Sequence, residues 1–210
     1  MVVTCFVLCG ATCAQASHYE LGWAEAAMQT GIADKTMVFV APEGELGCGW
    51  SHWWLRYEPL PSERFKDTLN APGYKEDIDR TASCGGLRGA IEAEVQAGNK
   101  VASIGASNGG HVAVEMAQEF SACWIILASS APLLQQMHMC STWQMPLVMT
   151  ICDAEGYFGG AHHLWGLAKI ARAYAVWSYD STHCHEPWDV QLQAASVVSS
   201  QLADVVANRE

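Results

Sequence analysis

Short apolar runs alternate along the chain with longer segments whose apolar residues repeat at helical spacing. Such runs, rich in β-branched residues, are typical of strands that a parallel sheet buries on both faces. The strands predicted in this way cover residues 2–9, 36–41, 100–105, 123–128, 147–152 and 174–179. The alternation predicts an α/β fold, with a mostly parallel sheet of about six strands and helices on both faces.

Four segments between or after these strands carry apolar residues every three or four positions, which predicts amphipathic helices. Gly31 and Gly98 are plausible stops for the first two helices, and Pro187 suits the first turn of the last. The four predicted stripes are Leu21, Ala24, Ala27 and Met28; Cys84, Leu87, Ile91 and Val95; Val112, Met116 and Phe120; and Val190, Ala194, Val197 and Val205.

Residues 42–74 break the pattern, because this segment is too long and irregular for an ordinary connection. It carries Trp50, Trp53, Trp54 and Tyr57, and loops of this length inside a compact domain are usually functional. The chain shows no internal repeat, low-complexity segment or linker. We therefore predict one domain over residues 1–210, with an irregular loop region near an active site.

Composition restricts the partners that the chain can have. Its 210 residues carry 11 basic and 22 acidic side chains, a formal charge of −11. No run of Lys or Arg could follow a phosphate backbone, so nucleic acid is not expected as a partner. The oligomeric state is not predicted.

The cysteines and the N-terminus bear on the cellular compartment. Nine cysteines are scattered without a C-x-x-C pair, so we interpret them as mostly reduced core thiols and expect a cytoplasmic protein. The run at residues 1–16 ends in A-Q-A like a signal peptide, but it lacks basic residues and contains Gly and Thr. A buried first strand explains it better. No stretch reaches the roughly 20 apolar residues of a membrane span.

The segment G-A-S-N-G, residues 105–109, matches the pattern G-x-S-x-G. It follows a predicted strand and opens a predicted helix, which is the strand, turn and helix that present a nucleophilic serine in α/β hydrolases. The alternative is an ordinary glycine-rich turn. The context favours Ser107 as a nucleophile.

A serine nucleophile requires a base and a carboxylate, which in this fold follow the serine in the order acid, then histidine. His183 follows the last predicted strand and is the predicted base, with His185 as the alternative. Asp153 and Glu155 follow the fifth strand as candidate acids. The cluster H-C-H at residues 183–185 lacks a second ligand group at a supporting spacing, so no metal site is predicted.

The oxyanion of an acyl-transfer intermediate needs backbone N–H donors that already point at it. The amide of Asn108, directly after the nucleophile, is the first predicted donor, and the amide of Ala11, after the first strand, is the second. Gly10 would let that backbone come close to the substrate, or it would simply end the strand.

The segments G-A-S-N-G-G (105–110) and W-S-Y-D-S-T-H (177–183) resemble the phospholipase/carboxylesterase family, which includes the acyl-protein thioesterases. The resemblance extends from Phe6 to about Val190 and implies the α/β-hydrolase fold. It also implies hydrolysis of a carboxylic ester or thioester, without a cofactor, on a small molecule or an acylated protein. The acyl group would lie in an apolar groove, which Trp50, Trp53 and Trp54 could line.

The chain departs from this family at two places. Cys9 and Gly10 stand where the family has H-G, and residues 151–155, I-C-D-A-E, replace H-G-x-x-D. The alignment makes Glu155 the triad acid, with Asp153 as a rival. These departures motivate an alternative function, a catalytically inactive relative that binds an acyl ligand or a protein. Another α/β hydrolase, such as a lipase or dienelactone hydrolase, would keep the triad and change the substrate.

Overall fold

Six parallel strands form one sheet in the part of the chain that the computed structural model describes, residues 1–10, 18–39, 86–130, 132, 145–154, 160–170, 175–181 and 183–207. They are β1 (Val3–Leu8), β2 (Lys35–Phe39), β3 (Lys100–Ala106), β4 (Ile125–Ala128), β5 (Leu147–Cys152) and β6 (Ala175–Tyr179). The spatial order is β2-β1-β3-β4-β5-β6. All six predicted strands are confirmed, each to within two residues at either end.

Helices cover both faces of this sheet, as predicted. The described helices are α1 (His18–Gln29), α2 (Gly86–Gln96), α3 (Asn108–Glu119), α4 (Ala161–Ile170) and α5 (Trp188–Ala207). Apolar residues of α2, α3 and α4 join the core on one face. Those of α1 and α5 join the core on the other.

The four inner strands, β1, β3, β4 and β5, are apolar on both sides because each contributes residues to both cores. In β1, Phe6 and Leu8 belong to one core, while Cys5 and Val7 belong to the other. All four are at most 1% exposed. Burying a large apolar side chain contributes about 1.5–3 kcal/mol, so a run without polar alternation suits a strand that is covered twice.

The predicted stripe of α1 is wrong at its two largest residues. Leu21 is 50% exposed and Met28 is 44% exposed, whereas Trp23 and Ala26 are fully buried. Small side chains such as Ala26 let α1 approach its neighbours closely, and Trp23 fills the remaining space. Ala24 and Ala27 of the same stripe are buried as predicted, so the prediction is wrong only in adding Leu21 and Met28 to the buried face.

The other stripes agree better with the structure. Val112 and Met116 of α3 are buried, and Phe120 packs against the same core. Leu87 and Ile91 of α2 are buried, but Val95 is 43% exposed, and Cys84 lies outside the described residues. The predicted stripe of α2 is therefore confirmed at Leu87 and Ile91 and wrong at Val95.

Five cysteines lie in the described segments, namely Cys5, Cys9, Cys123, Cys152 and Cys184, and none of them forms a disulfide. No helix there is both long enough and apolar enough to span a bilayer. The predicted loop region 42–74 lies outside these segments.

Candidate active site

Ser107 lies between the end of β3 and the start of α3, in a strained backbone conformation. Its φ of 48° and ψ of −118° lie in a region that non-glycine residues rarely adopt, which costs on the order of 1–3 kcal/mol. Its N–H donates to the carbonyl oxygen of Ala128 at 2.9 Å. Although Ser107 is the N-cap of α3, its hydroxyl makes no capping hydrogen bond and is available for another partner.

The glycines beside Ser107 permit this sharp turn because the backbone packs very closely around it. A Cβ at Gly105 would lie 2.5 Å from Gly110 Cα, and a Cβ at Gly109 would lie 2.4 Å from the carbonyl oxygen of Cys9. Either contact is too short for carbon. The pattern G-x-S-x-G is thus a packing requirement of this turn.

His183, on the loop after β6, reaches Ser107. Its Nε2 lies 2.8 Å from Ser107 Oγ, a hydrogen-bond distance. When the ring proton is on Nδ1, Nε2 accepts the serine hydroxyl hydrogen, which is the arrangement of a general base and its nucleophile. His185 is exposed, so the alternative base lies outward of the pair.

The structure describes only some of the predicted site residues. Glu155 and Ala11 lie outside the described residues, as do Trp50, Trp53 and Trp54. Asp153 is exposed, and its backbone N–H donates to the carbonyl oxygen of Tyr179 at 3.0 Å. A carboxylate that orients a catalytic imidazole is most effective when it is withdrawn from bulk water, so this exposure argues against Asp153 as the acid.

Two backbone segments approach the Ser107 hydroxyl where an oxyanion would form. Asn108 is the first residue of α3, whose N-terminal amides are unpaired within the helix and favour negative charge. The segment after β1 also lies close to Ser107, since a Cβ on Gly10 would lie 3.3 Å from Ser107 Cβ and 3.9 Å from its Oγ. The open side of Gly10 therefore faces the nucleophile.

Behind His183 lies a buried polar network that the sequence did not predict. The carboxylate of Glu186 is 5% exposed, and its Oε1 accepts hydrogen bonds from Ser129 Oγ at 3.0 Å and Thr150 Oγ1 at 2.5 Å. Ser129 Oγ also accepts the N–H of Cys184 at 3.2 Å. Hydroxyls at strand ends form no sequence motif, so only the folded chain shows that they converge here.

Burial and the charge of Glu186 raise the pKa of two tyrosines beside this network. Burial raises the pKa of Tyr179, and the nearby Glu186 carboxylate raises it further. The same two causes, in the same order, raise the pKa of Tyr19 at the start of α1. Both phenols therefore remain protonated.

On α3, burial lowers the pKa of His111 to about 4, so this imidazole is neutral at pH 7.

A metal site was not predicted. Within the described part of the chain, no group of three or more His, Cys, Asp or Glu side chains is arranged to bind a metal.

Comparison with known proteins gives a likeness at the level of the fold. No protein-family model and no curated protein matches the sequence. A solved structure assigned to the α/β hydrolase superfamily, from Xanthomonas campestris pv. campestris, is 15% identical, with 98% of this chain and 99% of that chain covered and a TM-score of 0.54.

Two further solved structures are similar to the chain. Acyl-protein thioesterase 2 of Zea mays is 14% identical, with 96% of this chain and 94% of that chain covered and a TM-score of 0.57. The carboxylesterase of Bacillus cereus is 12% identical, with 95% and 88% covered and a TM-score of 0.54. The chain has the α/β-hydrolase fold, as predicted.

Proposed function

We propose that the protein is a serine hydrolase that cleaves carboxylic esters or thioesters through an acyl-enzyme intermediate. The observation that carries the proposal is the 2.8 Å contact between Ser107 Oγ and His183 Nε2, with Ser107 held in a strained turn at the start of a helix. A serine in a strained backbone conformation, whose hydroxyl contacts an imidazole and does not cap the helix, lowers the stability of the fold and contributes no helix cap in return. It is the arrangement that acyl transfer requires.

Each part of the pair has a defined role in the proposed reaction. Ser107 Oγ attacks the substrate carbonyl carbon while its proton moves to His183 Nε2. The tetrahedral oxyanion accepts hydrogen bonds from the backbone amides of Asn108 and Ala11. The intermediate collapses, and the leaving alkoxide or thiolate takes the proton from His183. Water then attacks the acyl-enzyme with His183 as its base, which releases the carboxylic acid and restores Ser107.

The triad acid and the acyl groove are assigned to the remaining predicted site residues. Glu155 is the proposed triad acid, because the family resemblance aligns it with the catalytic aspartate and because Asp153 is exposed. Trp50, Trp53 and Trp54 are proposed to line the acyl groove. The similar structures include a carboxylesterase and an acyl-protein thioesterase, which supports an acyl substrate on a small molecule or a protein. The protein is proposed to act in the cytoplasm.

An activity-based label tests the nucleophile directly. A fluorophosphonate should label the wild-type protein on Ser107, with the modified residue identified by mass spectrometry, and Ser107→Ala should abolish the label. The matched control is Ser121→Ala, which alters an exposed serine between α3 and β4 and should label like wild type. A folded wild-type protein that takes no label would favour the inactive, ligand-binding alternative.

A pair of substrates tests the bond that is cleaved. An aryl ester and a thioester with the same acyl chain should both be hydrolysed by wild type, with a burst of the first product that matches the enzyme concentration if deacylation is slow. Hydrolysis that persists in Ser107→Ala would contradict the acyl-enzyme mechanism.

A further inference from the structure

Two adjacent serines at the end of β4 connect the two halves of the candidate site. Ser129 and Ser130 are both fully buried, at 0% exposure. Ser129 has a φ of 46°, a positive value, like that of Ser107, which non-glycine residues adopt only at a cost. Buried hydroxyls on a strained backbone persist only where the surrounding structure holds them.

Ser130 holds the backbone of the nucleophile. Its Oγ donates to the carbonyl oxygen of Ser107 at 2.6 Å, and the carbonyl oxygen of Ala128 accepts the Ser107 N–H at 2.9 Å. Both backbone polar groups of Ser107 are thus bound by residues 128–130. A Cβ at Gly110 would lie 2.1 Å from Ser130 Oγ, so glycine at this position leaves the space that the Ser130 hydroxyl occupies.

Ser129 holds the loop of the base. Its hydroxyl donates to Glu186 Oε1 and accepts the N–H of Cys184, the residue directly after His183. Its remaining contact is with the Tyr179 hydroxyl, which must then be the donor. One donated and two accepted hydrogen bonds use the whole capacity of a serine hydroxyl. Cys184 itself has a φ of 55°, a third strained residue at this point.

We propose that Ser129 and Ser130 are positioning residues that set the distance between Ser107 Oγ and His183 Nε2. Ser130 fixes the nucleophile and Ser129 fixes the base loop, and one peptide unit joins the two. Neither hydroxyl is proposed to touch the substrate. The expected loss of activity rests on the proposed function, whereas the expected change in the distance between Ser107 Oγ and His183 Nε2 does not.

Substitutions separate the hydroxyl of Ser129 from its backbone strain. Ser129→Ala removes the hydroxyl and keeps a side chain at positive φ, whereas Ser129→Gly removes the hydroxyl and also relieves the strain. Both variants should lose activity, and Ser129→Gly should be the more stable of the two. Ser130→Ala should lose activity through the nucleophile.

The kinetic readout is the rate constant for fluorophosphonate labelling, together with kcat and KM for an aryl ester. Each variant should lower the labelling rate constant and kcat by about 10- to 100-fold, the loss expected for a displacement of about 1 Å, with KM changed by less than about 3-fold. Ser121→Ala, whose residue also has a positive φ of 53°, is the matched control and should change neither. Labelling at the wild-type rate in all three variants would overturn the proposal.

A crystal structure of Ser129→Gly gives a test that does not require activity. The Ser107 Oγ to His183 Nε2 distance should exceed about 3.5 Å, the limit of a hydrogen bond, or the His183 loop should occupy two positions. Should wild type take no label, the proposed function fails while this distance still decides the positioning role. A pair that stays at hydrogen-bond distance in both Ser129→Gly and Ser130→Ala would refute that role.

Discussion

Replacing Gly109 by alanine should displace the turn that holds Ser107, because the backbone at the end of β1 leaves no space for one added carbon. The new Cβ would lie 2.4 Å from the carbonyl oxygen of Cys9 and 2.5 Å from that of Leu8. Real Cβ atoms essentially never come closer than 3.0 Å, so the contact must open by about 0.6 Å, the difference between 3.0 Å and 2.4 Å. Both obstructing atoms belong to backbone, and no side-chain rotation can relieve the clash.

The losses of stability and turnover in Gly109→Ala depend on which backbone segment moves to relieve the clash. Overpacking a close-packed interior costs about 1–3 kcal/mol, and backbone obstruction favours the upper part of this range. Either the start of α3 or the end of β1 must shift, and with it the position of Asn108 or Gly10 relative to Ser107. A displacement approaching 1 Å at a catalytic site lowers turnover by about 100-fold.

Gly166→Ala is the matched control, since it makes the same change on α4 where an added Cβ meets nothing within 4 Å. It should raise stability by about 0.5–1 kcal/mol through helix propensity and leave activity unchanged. Thermal unfolding should place Gly109→Ala several degrees below this control, at about 2–4 °C per kcal/mol for a chain of this size. Equal melting temperatures, with kcat/KM of Gly109→Ala near wild type, would show that the close approach to β1 does not constrain this turn.

Three further predictions concern the titratable residues. His183→Ala should lower kcat by several orders of magnitude while His185→Ala changes it by less than about 3-fold; steady-state ester hydrolysis measures both, and the reverse order would move the base. Glu155→Gln should depress kcat far more than Asp153→Asn, because an amide can favour the wrong imidazole tautomer; the opposite result would make Asp153 the acid. The lowered pKa of His111 means that the unfolded chain binds a proton before the folded one, so stability should fall as pH decreases from about 6.5 to about 4. Denaturant unfolding across this range should give a flatter profile for His111→Gln, and identical profiles would contradict the assignment.

The sheet could be predicted from the sequence because twice-covered strands leave a strong local signal. The run around Phe6 and Leu8 is apolar at successive positions, and its short length and the glycine that follows it favour a buried strand over a buried helix. Only part of the buried face of α1 could be predicted, because that face depends on which neighbours the helix contacts. Trp23 is buried beside small alanines, while Leu21 is left outside.

The predicted Ser107 and His183 come from one motif and one rule of chain order, and the structure brings these two residues together. The residues that support them carry no such signal. Ser129 and Glu186 are 57 positions apart in sequence and meet only because β4 and the loop after β6 end at the same edge of the sheet. Polar residues in such positions look like ordinary surface residues until the strand order is known.

The strand order has a consequence for how this site can change. The helix that follows β1 packs on one face of the sheet, and the helix that follows β3, its neighbour, packs on the other. In open α/β sheets, ligands bind at the carboxyl ends of two such neighbouring strands, and here Gly10 and Ser107 follow those ends. Connections around these strand ends can lengthen or be exchanged without disturbing either core. Under the proposed function, changes in these connections would therefore alter which substrates are accepted, while Ser107 and His183 keep their places.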